Sequence, residues 1–285
     1  MRPNYPLGLA LQQNNSAPLT GLFQRLNRII PEDQQLEALP SNTLAQDALE
    51  LMKQRGFSQV PVLDGGEIIG AFSYRSFSLG ALRFEDDRTN VLKLTVADFL
   101  ENLPFKSLSD PFEDVINDLD RLDAVLVGTP ENLVAIVSAM DILRYLYGVT
   151  SPFVLVAEIE LAVRALMTWS AAPHQLQECF RRSLMHIYQE TNLPIGVDGL
   201  TFSDYASVIG HGDNWDWFFK DTFGSTRADV RAKLSGVAEI RNHLFHFRRE
   251  ITGEEFEELT LVRDWLLRRS KMSQNKQVKA KLEVA

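Results

Sequence analysis

The spacing of apolar and polar positions along this chain changes character twice, and the changes mark its organisation. Residues 1–21, rich in Asn, Gln and Pro, show no period and predict an N-terminal arm. Over residues 22–149, short stretches with helical spacing alternate with short runs rich in β-branched residues. Residues 43–55 (TLAQDALELMKQR) place Leu44, Ala48, Leu51 and Met52 on one helical stripe, and Gly56 follows as a stop. QVPVL and EIIGAFS, joined by the Gly-rich turn at 64–66, predict a two-stranded hairpin, and a further helix begins near Tyr74. About 65 residues later the order recurs. PFEDVINDLDRL is helical with Pro111 in its first turn, DAVLV and LVAIVS are strands around GTPEN, and AMDILRYLY is helical. One such unit leaves an apolar sheet face bare, which pairing with its repeat would bury. After TSP at 150–152 the spacing is helical throughout, over 153–169, 175–191, 202–209, 228–247 and 254–271. The predicted fold is an α+β repeat pair over 22–149, an all-α bundle over 152–272 and a basic tail over 273–285.

Composition narrows the chemistry. A single cysteine, Cys179, excludes an intrachain disulfide and a cysteine-rich metal site, and fits a reducing cytoplasm. His174, His186 and His211 lack ligand-like spacing, so no metal is expected. No run approaches 18 consecutive apolar residues and the N-terminus has no secretory pattern, so a cytoplasmic chain without membrane association is expected. The net charge of −9 argues against a generally basic nucleic-acid binder. From Arg241 onward, however, ten Lys/Arg face seven Asp/Glu, so any RNA contact belongs near the C-terminus. The plainer reading of that stretch is a solvated helix face. GxSxG, GxGxxG and GKS/GKT elements are absent from the sequence, which removes the usual hydrolase, Rossmann and P-loop readings.

Within the second repeat, Ser138 and Asp141 stand at i, i+3 where a strand becomes a helix, and Arg144 lies one turn further on. A hydroxyl and free N–H groups at a helix start suit phosphate, a carboxylate can accept both hydrogens of a ribose diol, and arginine can fork onto phosphate. The plainer alternative makes Ser138 and Asp141 a helix cap. The segments QVPVLDGGEIIGAFSYRS and DAVLVGTPENLVAIVSAMDIL resemble the halves of a tandem CBS-domain pair. That resemblance implies an adenine nucleotide bound between the repeats, with Ser138 at phosphate or ribose, Asp141 at the ribose hydroxyls and Arg144 at phosphate. In the first repeat Ser73 matches the hydroxyl position, but Ser76 stands where the family has Asp. One nucleotide site per chain is therefore expected rather than two.

In the helical region the segment AEIRNHLFHFRRE (residues 238–250) holds Arg241, Asn242 and His246. Histidine titrates near neutrality and serves in either proton role, while arginine stays charged and fits phosphate. Asn242 and His246, at i, i+4, share a helix face, and Arg241 lies about 140° round from His246. The plainer reading is a polar network holding the bundle together with Glu158 or Glu160. The motif is similar to the Arg-polar…His signature of the HEPN superfamily, in the Abi-like group. AEIELAVRALM (157–167) and LTFSDYASVIG…WDWFF (200–219) resemble the rest of that domain. The resemblance implies a metal-independent endoribonuclease acting on RNA as a homodimer, or higher even-numbered oligomer, with two facing motifs. The combined expectation is a nucleotide-regulated ribonuclease in toxin or anti-phage defence. The alternative is a non-catalytic, nucleotide-sensing adaptor. The four tryptophans are expected as core or interface anchors.

Overall fold

The structure, a computed structural model, describes residues 26, 29–30, 34, 36–84, 90–249 and 251–284, with side chains as far as 275. The expected arm over 1–21 lies outside the described residues. Two compact units divide the chain, one within Asn14–Tyr147 and one within Gly148–Ala285.

The first unit contains two three-stranded sheets of the same design. In the first, β1 (Leu39–Pro40) runs parallel to β2 (Gln59–Asp64), which pairs antiparallel with β3 (Glu67–Ser73). Gly65 and Gly66 close this hairpin at φ +58° and +96°, a conformation in which a Cβ would be strained. Helix α1 (Ala45–Arg55) precedes β2 and α2 (Tyr74–Ala81) follows β3. The second sheet orders β4 (Phe105–Lys106), β5 (Ala124–Thr129) and β6 (Asn132–Ser138) in the same way. Its helix α3 (Phe112–Leu119) precedes β5.

Details depart from the expected pattern at the helix starts. Leu44 is the extended N-cap of α1 and is 41% exposed, so the buried stripe is Ala45, Ala48 and Met52. Pro111 likewise caps α3 from outside instead of entering its first turn. The expected pairing of repeats is realised by a shared core of Ile68, Ala71, Leu103, Ala124 and Leu126. There the Ile68 N–H donates to Pro130 O at 2.8 Å, joining one hairpin to the tip of the other.

Helix α4 (Ala139–Ser170) runs without a break through Pro152, so the boundary expected at residues 150–152 does not interrupt the helix. Proline forfeits one helical hydrogen bond. The turns after it bury Leu155, Val156, Ile159, Val163, Leu166 and Met167, which outweighs that loss. Counting uninterrupted apolar runs does not register α4, yet it is long and apolar enough to cross a membrane by length and composition. Within Gly148–Ala285 that apolarity is partly core, while Val154 and Leu161 of the same helix are exposed.

The rest of the second unit is helical: α5 (Pro173–Leu184), α6 (Phe202–Gly210), α7 (Gly212–Asn214), a π-helical turn (Trp215–Phe219), α8 (Lys220–Phe223), α9 (Arg227–Phe245) and α10 (Gly253–Val284). Helix α5 ends at Leu184, short of the predicted residue 191, and Tyr188 beyond it donates to Asp204 at 2.8 Å. Helix α10 continues through residue 272, where a separate tail was expected. Trp215 is core, Trp169 and Trp265 pack against it, and Trp217 lies exposed beneath the Arg182 guanidinium.

Candidate functional sites

Ser138 ends β6 and Asp141 lies in the first turn of α4, so strand pairing and helix start fix both side chains. Asp141 Oδ2 accepts from the Ser138 hydroxyl at 2.6 Å and from the Ser138 N–H at 2.9 Å. The Asp141 N–H returns a longer bond to Ser138 Oγ at 3.4 Å. This is a reciprocal cap, as the plainer reading expected. It leaves Asp141 Oδ1 with one long contact, 3.5 Å to the exposed Arg144 guanidinium. A carboxylate has about four acceptor directions, so the cap orients Asp141 and leaves acceptor capacity on Oδ1.

The matching junction in the first repeat is closed. The buried Ser73 hydroxyl donates to Glu101 Oε2 at 2.9 Å and accepts from the Ser76 N–H at 2.9 Å. Ser76 Oγ in turn donates to Ser73 O and accepts the Ser73 N–H. The other oxygen of Glu101 pairs with Arg75 at 2.6 Å. Glu101 is held there by its backbone, which exchanges two hydrogen bonds with Ala71. Gly70 permits that approach, because a Cβ on it would stand 2.8 Å from Glu101 O. Ser73 therefore has its hydroxyl committed on both sides. Glu101 and Arg75 escaped the sequence reading because nothing in the sequence ties a carboxylate to a serine 28 positions away.

In the helical unit, Arg241 Nη1 donates to Asn242 Oδ1 at 3.4 Å, and the guanidinium lies 4.9 Å from the Phe245 ring centroid. Arg241 Nε is buried without a hydrogen-bond partner among the described residues. His246 terminates α9 at φ −95°, ψ 6° and is exposed. No described residue hydrogen-bonds its ring. The next residue, Phe247, sits in left-handed backbone at φ 51°, unusual for an aromatic side chain. Bonds from the Phe247 N–H to Leu244 O and from the Arg248 N–H to His243 O hold it there. Phe153 of α4 packs against Phe245 and Phe247 at 5.3 and 6.5 Å. The helix thus ends at Phe245 with His246 as its C-cap, two residues earlier than the periodicity implied.

The network expected with the first-helix carboxylates does not form: Glu158 pairs with Arg263, and Glu160 with Arg164. Arg249 is the residue that sequence reasoning missed here. It forks onto Glu255 at 2.6 and 2.7 Å and donates to His243 Nδ1 at 2.9 Å. A guanidinium only donates, so His243 carries its hydrogen on Nε2. The Arg249 hydrogen bond also holds the Glu255 carboxyl below the usual carboxylate range.

Residues 33–78 match the family described as the CBS domain. The match to a CBS domain is confined to residues 33–78. Its N-terminal region is mixed α/β with CBS-like β–α repeats, followed by a helical C-terminal region. Comparison with curated proteins returned no match. Among solved structures, a putative signal-transduction protein with CBS domains from Burkholderia ambifaria is 17% identical. The similarity covers 43% of this chain and 93% of that one, with a TM-score of 0.37. A CBS-domain-containing protein from Agrobacterium tumefaciens is 13% identical over 46% of this chain and 98% of its own, TM-score 0.40. A conserved CBS-domain protein from Thermoplasma acidophilum is 21% identical over 44% and 70%, TM-score 0.38. CBS-domain proteins are often regulatory and nucleotide-sensing, commonly dimerise and generally bind adenine nucleotides. Among the described residues, no group of three His, Cys, Asp or Glu could hold a metal ion.

Proposed function

We propose that the chain is an adenine-nucleotide-responsive regulatory protein whose helical unit acts as a metal-independent endoribonuclease. The observation that carries the first half is Asp141, oriented by Ser138 and leaving Oδ1 beside the exposed Arg144. A ribose diol donates to that carboxylate oxygen and phosphate pairs with Arg144. Ser73 takes no part, its hydroxyl being committed to Glu101 and Ser76.

The second half is supported by a cation and a titratable group at one helix end, Arg241 beside Asn242 and then the exposed His246. Cleavage through a 2′-hydroxyl needs a base, an acid and a cation against the developing phosphorane charge. One His246 fills one proton role at a time, so a homodimer bringing a second motif completes the set. Nucleotide then regulates by binding one dimer arrangement more tightly than another.

The test incubates wild-type and His246→Ala protein with cellular RNA, with and without AMP, ADP and ATP. Cleavage by wild type alone, altered by one nucleotide, is the expected result. A second reading, a non-catalytic nucleotide-sensing adaptor, is favoured by the lack of any described residue orienting the His246 ring. Nucleotide binding without cleavage under any condition selects it.

A further inference from the structure

At the far end of α9 from His246, Arg227 and Arg231 stand one helical turn apart, exposed, and neither forms an ion pair with a described residue. Their surroundings are shaped for them. Gly210 and Gly212 flank the turn between α6 and α7, and a Cβ on Gly210 would come 3.1 Å from Arg231 Cδ. A Cβ on Gly212 would come 2.7 Å from Arg227 Nη1. The two glycines let both arginine side chains lie against the turn. Gly210, Arg227, Ala228, Arg231, Ala232 and Ser235 line a concave surface of about 360 Å³. The small side chains keep that concavity open, and the Ser235 hydroxyl adds a neutral donor.

The placement runs against local electrostatics. Thr226 caps α9, so Arg227 and Arg231 occupy its first two turns, where the helix dipole disfavours positive charge. The nearest acid in the first turn, Asp229, is committed to Lys233 and Ser225. Two cations are therefore held at a positive helix end without a counter-ion, in a chain of net charge −9. An anion bound in the concavity supplies the missing charge to the arginines and the helix end together.

We infer that Arg227, Arg231 and Ser235 form a phosphate-binding subsite, which on the ribonuclease reading holds the backbone of the RNA substrate away from the cleavage site. The distance fits such a role: from residue 227 to 246 α9 rises about 28 Å, several nucleotides of extended strand.

The choice of ligand rests on the ribonuclease reading, so the test separates the two. Binding of a labelled single-stranded 12-nucleotide RNA, and of ATP and inorganic phosphate as separate arms, is measured in the full chain carrying His246→Ala. The same is done after adding Arg227→Gln with Arg231→Gln, or Arg268→Gln as an exposed single-charge control. The double substitution is expected to weaken RNA binding at least tenfold and to lower the salt-dependence slope by about 1.4, at about 0.7 per phosphate contact on a single strand. Arg268→Gln should change affinity less than twofold. Arginine-dependent binding of RNA supports the subsite even if wild type cleaves nothing, in which case only the ribonuclease reading falls. Arginine-dependent binding of ATP or phosphate but not RNA keeps a phosphate subsite and overturns its assignment to an RNA backbone. Equal binding by the double variant, equal loss in Arg268→Gln, or no binding of any probe by the parent overturns the subsite, whatever the cleavage assay gives.

Discussion

The two repeats of the first unit make the same junction from the same kind of residue and leave it in opposite states. Both end a hairpin at a serine, Ser73 or Ser138, and both close a reciprocal cap with the residue three positions on. In the first repeat that residue is Ser76, and Ser73 keeps a hydroxyl hydrogen that Glu101 accepts. In the second it is Asp141, which accepts the Ser138 hydroxyl and retains an oxygen facing an exposed arginine. The carboxylate belongs to the cap in one repeat. In the other it arrives from 28 residues away and pairs with Arg75 of α2. The two hairpins share their backbone geometry, and the residue three positions on, Ser76 or Asp141, sets which hydrogen bonds the junction makes.

The largest expected effect tests the core that the repeats share. Leu126 is fully buried between the hairpins, so Leu126→Ala should cost about 2–5 kcal/mol, read as a lowered thermal midpoint. A loss well below that range would mean the two repeats fold independently. Next in size, Asp141→Ala should weaken binding of the preferred adenine nucleotide by about 10–100-fold, or about 1.4–2.8 kcal/mol. Ser73→Ala should leave affinity within about twofold by calorimetry, and equal losses would erase the contrast between the junctions. Glu101→Gln keeps the shape and removes the charge that Arg75 and Ser73 meet. It should cost about 1 kcal/mol of stability and leave the calorimetric stoichiometry at one nucleotide per chain.

The smallest effect concerns pH. In the second repeat a hydrogen bond from Lys106 of β4 holds the Asp118 carboxyl of α3 below its ordinary range. Its folded pKa is depressed, so its stabilisation is complete above the ordinary carboxylate range and disappears as pH falls through the lowered value. By strand register and buried helix positions the corresponding first-repeat residues are Leu39 and Leu51, which carry no charge. Amide protection factors, which are corrected for the intrinsic exchange rate, should therefore fall more between neutral and acid pH around β4 and α3 than around β1 and α1. An equal fall would remove this difference.

Much of this was legible in the sequence. Alternation with a Gly-Gly turn gave the first hairpin, and its recurrence about 65 residues on gave the second. The spacing of Ser138, Asp141 and Arg144 announced a polar cluster at a strand-to-helix junction, because i, i+3 contacts are local and backbone geometry guarantees them. The Arg241–Asn242 contact and the turn of the chain at His246 and Phe247 were not legible.

By itself the sequence determined the order of elements, the repeat and the local clusters, since each depends on residues a few positions apart. Tertiary structure alone decided that α4 runs through Pro152, because burial of later turns outweighs one missing hydrogen bond. It alone brought Glu101 to Ser73, Arg249 to His243 and two arginines against the Gly210–Gly212 turn. Such long-range polar pairs leave no period in the sequence. They form only because packing has already fixed the backbones that carry them.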